Sequence, residues 1–292
     1  MKVVFLTYCT KEYYKSAKCL IKSAKKFGLH DISFYTRDDL IKTDFYTQNK
    51  RILELPQRAG CSLWKIYYIH HEYFKINKGD ILFYADAGSK FINNPKPLIE
   101  LCKTKGIVLF NLNNKPLEKH WTKRDTFVLM NCDEEKYHNH EHINAAFQIY
   151  QRNDFNDNFI NELFTFGQDI RIIADLPNVC GLPNLEGFRE HRFDQSILSI
   201  LSCKYNIEIF RYPAQWGNHF KTPDFRKKNE WLAEPYSDHP MINSPYFTIL
   251  DHHRKKNFSF KNVFNKNNIL KNYYLLKHHI KILCIKLKII SQ

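Results

Sequence analysis

The sequence contains little glycine and proline and no long apolar run, and these absences exclude several classes of protein. Only 9 of the 292 residues are glycine and 11 are proline, which excludes a collagen-like or low-complexity chain. With 43% hydrophobic and 15% aromatic residues, the chain is too apolar to be disordered and can bury a sizeable core. No stretch reaches the roughly 18 consecutive apolar residues that a transmembrane helix needs. The apolar run in residues 1–7 is too short for a secretory signal peptide, so we expect it to form the first strand of a soluble protein.

The eight cysteines lack the spacing of a metal or redox motif. None of them forms a C-x-x-C pair. In a chain of this length we expect them to be small buried side chains or free thiols of a reducing, cytoplasmic compartment. A structural zinc site is therefore not expected.

Acidic residues are missing from the C-terminal segment. Ten of the 44 Lys and Arg residues follow Asp251 and no Asp or Glu does, so that segment carries most of the net charge of +14. The first 251 residues, with 34 basic and 30 acidic side chains, are nearly balanced. This asymmetry divides the chain into a globular domain of residues 1–254 and a basic tail of residues 255–292.

The basic tail also carries an apolar stripe. Apolar residues with alternating +4 and +3 spacing extend over three heptads: Ile269, Tyr273, Leu276, Ile280, Leu283, Leu287 and Ile290. Lys277, Lys281 and Lys288 lie together on one flank of that helix. Such a helix can lie in the interface of an anionic membrane, or it can pack on the domain's own core or form a dimeric coiled coil. We expect residues 269–290 to attach the protein peripherally to the inner face of a membrane.

Apolar segments of strand and helix length alternate in the domain. Residues 3–6 and 32–35 are expected strands, and Ala17, Leu20 and Ala24 form one face of a helix between them. This βαβ unit favours a parallel sheet. Further helices are expected over residues 63–74, 97–102, 154–166 and 196–203, and further strands over residues 81–84, 107–110 and 207–210. Residues 111–142 are polar and are expected to form loops.

An apolar strand that ends in an acid is the sharpest local feature. Residues 81–84 run directly into Ala85-Asp86-Ala87-Gly88. Ligands of open parallel sheets bind beyond the carboxyl ends of the strands. An Asp between small residues could hold a ribose hydroxyl or a metal–diphosphate there. The alternative is that Asp86 caps a turn in which Gly88 permits a positive φ.

Three other segments place polar groups near predicted helix or strand ends. Lys65 follows Trp64 at the start of a helix, where a cation could reach a phosphate or could simply be solvated. The segment His191-Arg192-Phe193-Asp194-Gln195-Ser196 opens another helix, which Asp194 or Ser196 could cap. Asp251-His252-His253-Arg254 follows a strand-like run, in which adjacent histidines point to opposite faces.

In their order and spacing these segments resemble bacterial glycosyltransferases of the nucleotide-diphospho-sugar transferase (GT-A) superfamily, and more distantly the glycogenin-like enzymes. The resemblance covers roughly residues 1–254 and rests on residues 5–8, 64–65, 79–88, 121–125, 143–146 and 191–196. It implies an α/β, GT-A-like (Rossmann-related) single domain with a mixed, mostly parallel central sheet. It also implies transfer of a hexose from a nucleotide-diphospho-sugar, expected to be a UDP-sugar, to a glycan or lipid-linked acceptor in surface polysaccharide synthesis.

The resemblance implies roles for individual residues. Thr7 and Tyr8 would bind the base and ribose, and Lys65 would contact the diphosphate or orient Asp86. Asp86 matches the first acid of the D-x-D motif, which grips the ribose and a divalent cation. His252 or His253 would supply the metal ligand that such folds draw from near the end of the domain. Asp194 would be a catalytic residue. The donor-sugar and acceptor side would include Arg124, Asp125, Asn144, Asp194 and Gln195.

One position departs from the pattern, because Gly88 stands where the second acid of D-x-D is expected. A Mn²⁺ or Mg²⁺ ion would then have one Asp and one His, and would depend on diphosphate oxygens and water. Without a metal, Lys65, Lys123 or Arg124 would have to neutralise the leaving diphosphate. An inverting reaction would need a base, for which Asp194 is the first candidate, and a retaining reaction would not. The sequence leaves both open.

Three other functions are compatible with parts of the sequence. The isoelectric point of about 9.3 suggests a nucleic-acid-binding protein, but the balanced domain has no basic stripe with interleaved aromatics. A nucleotidyltransferase would need a glycine-rich loop after the first strand, and Thr7-Tyr8-Cys9-Thr10-Lys11 contains no glycine. Gly88 is also compatible with an inactive member of the superfamily that acts as a scaffold.

Overall fold

The computed structural model describes residues 1–112, 115–214, 217, 243–244, 246 and 248–256. The predicted tail helix of residues 269–290 and the region from Trp216 to Trp231 thus lie outside the described residues, except for Gly217. The domain boundary at residue 254 and the membrane attachment stay predictions. No helix within the described ranges is long and apolar enough to cross a bilayer.

A six-stranded mixed sheet forms the centre of the domain, in the order β2-β1-β3-β6-β5-β7. Its strands are β1 Val3–Cys9, β2 Asp31–Thr36, β3 Ile81–Ala85, β5 Ile107–Phe110, β6 Asn144–Gln151 and β7 Ile209–Phe210. β6 runs antiparallel to its neighbours β3 and β5, and the other pairs in the sheet are parallel. The predicted α/β class with a mixed, mostly parallel sheet is therefore confirmed.

Helices cover both faces of this sheet. The longer ones are α1 Tyr14–Lys26, α6 Leu63–Tyr73, α7 Lys96–Lys105, α10 Asp154–Gly167 and α12 Asp194–Lys204. The short ones are α2 Arg37–Leu40, α3 Asp44–Gln48, α4 Lys50–Leu53, α8 Arg124–Leu129, α9 Glu135–His138, α11 Ile170–Ile173 and two 3₁₀ turns at Lys11–Tyr13 and Glu118–His120; α5 Arg58–Cys61 is a left-handed turn. Alternate residues of β3 enter opposite cores, with Leu82 and Tyr84 on one face and Ile81 and Phe83 on the other.

The structure differs from the sequence prediction in two places. β6 was not predicted, because its side chains from Asn144 to Tyr150 are buried on both faces and therefore show no polar alternation. The predicted loop of residues 111–142 contains α8, α9 and a 3₁₀ turn.

A small antiparallel ribbon brings the late segment to the end of β3. β4 Lys90–Phe91 pairs with β8 Leu250–Asp251. Beyond the ribbon, the Arg254 N–H donates to the Gly88 carbonyl oxygen at 2.8 Å. Residues 252–254 therefore lie beside residues 86–88, although they are far apart in the sequence.

Candidate functional site

The carboxyl ends of β1 and β3 open into a cleft of about 1930 Å³. Eight of the residues singled out from the sequence line it: Tyr8, Lys65, Asp86, Asn144, Asp194, Gln195, His252 and His253. Pockets for a single small molecule measure roughly 300–1,000 Å³. The cleft is therefore larger than one small molecule requires.

Lys65 is the centre of a buried ionic cluster that ties three elements together. Its Nζ lies 3.0 Å from Asp194 Oδ2 and 3.3 Å from Asp86 Oδ1. It also donates to the Ala145 carbonyl oxygen at 3.2 Å. Asp86 Oδ1 accepts a second hydrogen bond from the Tyr84 hydroxyl at 2.5 Å. Lys65 is thus paired with both carboxylates and bonded to one backbone carbonyl, an arrangement that fits the predicted role of orienting Asp86.

The protonation of this cluster follows from burial and pairing. Burial disfavours the Lys65 cation, but the Asp194 and Asp86 carboxylates outweigh burial and raise the pKa of Lys65. Burial also raises the pKa of Asp194, and the nearby Lys65 ammonium offsets part of that effect. The pKa of Tyr84 is raised well above its usual value by burial and by Asp86, so its hydroxyl remains a donor to that carboxylate.

Aromatic side chains form another wall of the cleft, next to the carboxyl end of β1. The rings of Tyr8 and Trp64 are stacked, with centroids 4.1 Å apart and planes 20° apart. Tyr68 lies behind Tyr8 at 5.7 Å. Burial raises the pKa of Tyr8, while the Arg37 guanidinium beside its hydroxyl acts in the opposite direction. Tyr8 is only 2% exposed, so the partly exposed Trp64 ring supplies the aromatic surface at this wall of the cleft.

A strained turn precedes Trp64. Residues 58–62 all have positive φ, from +49° at Arg58 to +95° at Gly60. A side chain at Gly60 would meet the Leu53 backbone at 2.7 Å, which explains the glycine. Non-glycine residues in this conformation each cost about 1 kcal/mol or more, and such strain clusters at ligand-binding sites. The turn places Arg58 at the cleft, where it lies near enough to lower the pKa of Asp194.

The far side of the cleft is built from β6 and the start of α12. The Gln195 amide donates to the Ile143 carbonyl oxygen at 2.6 Å, and Asn144 Oδ1 accepts from the Ala146 N–H at 2.7 Å. These bonds fix the two amide side chains at the cleft wall. The structure therefore brings Asn144, Asp194 and Gln195 to the same wall of the cleft. The resemblance to the GT-A superfamily implied such a grouping.

Three of the predicted site residues do not line the cleft. The Thr7 hydroxyl is buried and donates to the Ala85 carbonyl oxygen at 2.8 Å, so it joins β1 to β3 instead of facing a ligand. Arg124 pairs with Asp133 at 2.9 Å. Asp125 is fully buried and accepts hydrogen bonds from the N–H groups of Val179 and Cys180 at 2.8–2.9 Å.

Lys123, expected as an alternative cation for the diphosphate, is also placed elsewhere. It is only 1% exposed and lies 3.2 Å from Asp125 Oδ2. Its Nζ donates to the Leu176 carbonyl oxygen at 2.8 Å. Of the three expected cations, Lys123 and Arg124 do not line the cleft, and Lys65, which does, is paired with two carboxylates.

The sequence analysis missed a buried acid–histidine pair that reaches the cleft. His142 Nδ1 lies 2.6 Å from Glu118 Oε2, while the Thr122 hydroxyl donates to the other carboxylate oxygen. Trp121 stacks over the imidazole at 6.3 Å. His142 lines the cleft, and its Nε2 has no hydrogen-bond partner among the described residues. No sequence signal joins Glu118 to His142, because only the fold of residues 116–143 brings them together.

The side chains beside Asp86 do not fit a divalent cation well. His252 and His253 line the cleft, and His253 Nδ1 accepts a hydrogen bond from the Lys255 N–H at 3.0 Å, which leaves the proton of the neutral ring on Nε2. Of the two, only His252, whose Nδ1 contacts the Tyr212 hydroxyl, keeps a geometry compatible with a ligand through Nε2. The described residues contain no group of three His, Cys, Asp or Glu side chains placed to hold a metal. The remaining acid, Asp86, already faces an ammonium, which repels a cation.

Comparisons with solved structures find similar chains, among them the following two. The chain is similar to mouse xyloside xylosyltransferase 1 in its apo form, with a TM-score of 0.47 and 9% identity over 86% of this chain and 97% of that one. It is also similar to the apo WbbM bifunctional glycosyltransferase, with a TM-score of 0.44 and 9% identity over 73% of this chain and 39% of that one. At these values neither neighbour bears on the reaction of this chain. No protein-family model and no curated protein sequence matches it.

Proposed function

We propose that this protein is a glycosyltransferase that moves a hexose from a nucleoside-diphosphate sugar, expected to be a UDP-sugar, to a glycan or lipid-linked acceptor of a surface polysaccharide. The observation that supports this most is the cluster of Lys65, Asp86 and Asp194 at the carboxyl end of β3. The Asp86 carboxylate, which contacts Lys65 and Tyr84, would accept hydrogen bonds from the ribose hydroxyls at this edge of the sheet. The sequence resemblance to the GT-A superfamily points to the same residues.

Each wall of the cleft has a part in this proposal. The stacked Tyr8–Trp64 surface holds the nucleoside base, and Asp86 holds the ribose. Asn144 and Gln195 bind hydroxyls of the donor sugar from the β6 side. His142 lies on the same side, but its Nε2 is buried, so it could accept a proton from the acceptor hydroxyl only after a movement that exposes it.

The chemistry requires positive charge on the sugar to be stabilised while negative charge grows on the departing diphosphate. The bond between the anomeric carbon and the diphosphate oxygen breaks, and its electron pair stays with the diphosphate. A bond to the acceptor oxygen forms, and the acceptor proton is released. The Asp194 carboxylate, held by Lys65, stabilises the oxocarbenium-like carbon. Asp194 can act as a base only if the pair with Lys65 opens.

A thermal-shift experiment tests the donor site. UDP, UDP-glucose, UDP-galactose and GDP-mannose are compared, and we expect one nucleotide at about 100 times its Kd to raise the melting temperature by about 5 °C. Asp86→Ala should remove this shift because it removes the ribose acceptor. Asp154→Ala, which changes an exposed carboxylate outside the cleft, should retain it. If no nucleotide stabilises the protein, the donor site does not exist, and a scaffold or nucleic-acid-binding role becomes the better explanation.

The basic tail supplies a separate prediction about the acceptor's location. Truncation after Lys256 should reduce sedimentation with phosphatidylglycerol vesicles at least tenfold, because it removes the apolar stripe and seven lysines that follow Lys256. Phosphatidylcholine vesicles, which lack the anionic headgroup, are the control. Equal sedimentation of the truncated and full-length chains with the anionic vesicles would show that residues 269–290 do not attach the protein to membranes.

A further inference from the structure

We infer that Arg58 and Arg254 bind the diphosphate of the donor at the cleft, in the place where a divalent cation would be expected. The inference rests on the proposed function and specifies how its leaving group is neutralised. The ligand is a nucleoside diphosphate, and the consequence is binding that does not require a metal ion.

The first argument concerns the missing second acid. A Cβ at Gly88 would lie 3.1 Å from the Arg254 Cα, closer than such contacts normally are. The hydrogen bond between the Arg254 N–H and the Gly88 carbonyl oxygen fixes this approach at 2.8 Å. The Arg254 backbone thus occupies the space that a side chain at residue 88 would need. The same contact holds the arginine beside the end of β3, where Asp86 lies.

The second argument concerns where the two arginines meet. Both line the cleft. The Tyr13 ring lies against the Gly88 position, with its Cε1 3.5 Å from where a Cβ would be. Burial raises the pKa of Tyr13 and Asp86 raises it further, whereas Arg58 and Arg254 lower it. Tyr13, Asp86, Arg58 and Arg254 all line the same cleft, so both arginines belong to the wall that contains Asp86.

The third argument concerns backbone conformation. Arg58 has φ of +49° and Arg254 has φ of +55°, although neither is a residue that adopts this region readily. Arg254 follows the β4–β8 ribbon, and Arg58 opens the left-handed turn before α6. Two unrelated segments thus accept strain to deliver an arginine to the same cleft. Strain of this kind is retained where the surrounding structure serves a ligand.

The charge balance agrees with a diphosphate ligand. Guanidinium groups donate two parallel hydrogen bonds to phosphate oxygens and are always charged. When the bond between the anomeric carbon and the diphosphate breaks, the two arginines would neutralise the additional negative charge on the diphosphate. The Lys65 ammonium is already paired with the Asp86 and Asp194 carboxylates.

Isothermal titration calorimetry tests the inference with UDP, GDP, CDP and the corresponding nucleosides. In EDTA, the Kd of the preferred diphosphate should stay within about threefold of its value in Mn²⁺. Arg58→Ala and Arg254→Ala should each weaken diphosphate binding by about 10- to 100-fold while changing nucleoside binding less than threefold. Arg51→Ala, an exposed arginine outside the cleft, is the matched control and should bind as the wild type does.

The possible results separate the inference from the proposed function. If EDTA abolishes diphosphate binding and Mn²⁺ restores it, the diphosphate is held by a metal and the inference is wrong, while the proposed function stands. Unchanged binding by both alanine variants also overturns it. If no nucleoside or diphosphate binds under any condition, both the proposed function and the inference fail. Arg254→Lys keeps the charge at this strained position and should bind the diphosphate with intermediate affinity. That result would show that the loss in Arg254→Ala is not caused by misfolding.

Discussion

Lys65→Met is expected to lower the free energy of unfolding by about 3 to 5 kcal/mol, because it leaves two carboxylates without their shared cation. The Lys65 and Asp194 side chains are only 7% and 8% exposed, so water cannot replace the lost interaction. The Ala145 carbonyl oxygen also loses its donor. The same substitution should abolish nucleotide binding, since Asp86 is no longer held in place. Urea unfolding followed by tryptophan fluorescence measures the first effect.

The loss in Lys65→Met should depend on pH in a defined direction. Burial already raises the pKa of Asp194, and without Lys65 that pKa rises further. A carboxyl whose pKa is higher in the folded than in the unfolded protein adds stability at low pH, and that stability disappears as the pH rises through the folded pKa. The variant should therefore be closer to the wild type at pH 5 than at pH 8. An equal loss at both pH values would contradict the paired cluster.

Two further variants make the Lys65 experiment specific. Lys50→Met removes an exposed lysine, 3.8 Å from Glu54, and should cost less than about 1 kcal/mol. Adding Asp194→Asn to Lys65→Met removes one of the two stranded charges. We expect the double variant to recover part of the lost stability, which a purely steric effect of methionine would not produce.

The parts of the fold that local patterns specify could be predicted from the sequence. β1, α1, β2 and β3 appear as apolar periodicity, and Asp86 stands visibly at the end of β3. The structure confirms the mixed, mostly parallel sheet that the resemblance implied. It also brings Asp86, Asp194 and Lys65 to one point, although only their separate positions near element ends could be seen in the sequence.

The remaining features depend on contacts between distant segments. β6 has no alternation because both of its faces are buried. The reason for a glycine at position 88 is visible only in the structure, where a Cβ added to that residue would lie 3.1 Å from the Arg254 Cα. Arg58 could not be singled out from the sequence, because no recognisable turn motif encodes consecutive positive φ values. The contact between Glu118 and His142 could not be predicted either, because no periodic pattern in the sequence relates the two residues.

Asp125 shows how a residue can match a family segment and still serve stability. Its carboxylate accepts three hydrogen bonds from the Val179 and Cys180 N–H groups and lies 3.2 Å from the buried Lys123 ammonium. Burial opposes its ionisation, but the bonds from Cys180 and Val179 and the proximity of Lys123 hold its pKa below the usual range. The carboxylate thus joins α8 to the loop of residues 174–184.

Asp125→Ala should therefore lower the free energy of unfolding by about 3 to 5 kcal/mol at pH 7, because it strands the Lys123 cation and two backbone donors. A carboxyl whose folded pKa is depressed contributes stability above its unfolded pKa and loses it as the pH falls through the folded pKa. The difference between variant and wild type should accordingly shrink below about pH 4. Urea unfolding at pH 7 and at pH 3.5 measures this, with Asp44→Ala, an exposed helix-start carboxylate, as the control.

The nucleotide affinity of Asp125→Ala distinguishes a structural role from a place in the site. Because Asp125 does not line the cleft, the fraction of the variant that is folded should bind UDP with the affinity of the wild type. Lys65→Met, in contrast, should lose both stability and binding. Calorimetry at 15 °C, where the variant remains folded, gives the comparison. A tenfold weaker Kd in Asp125→Ala, with unchanged circular dichroism, would return this residue to the donor or acceptor side where the sequence resemblance first placed it.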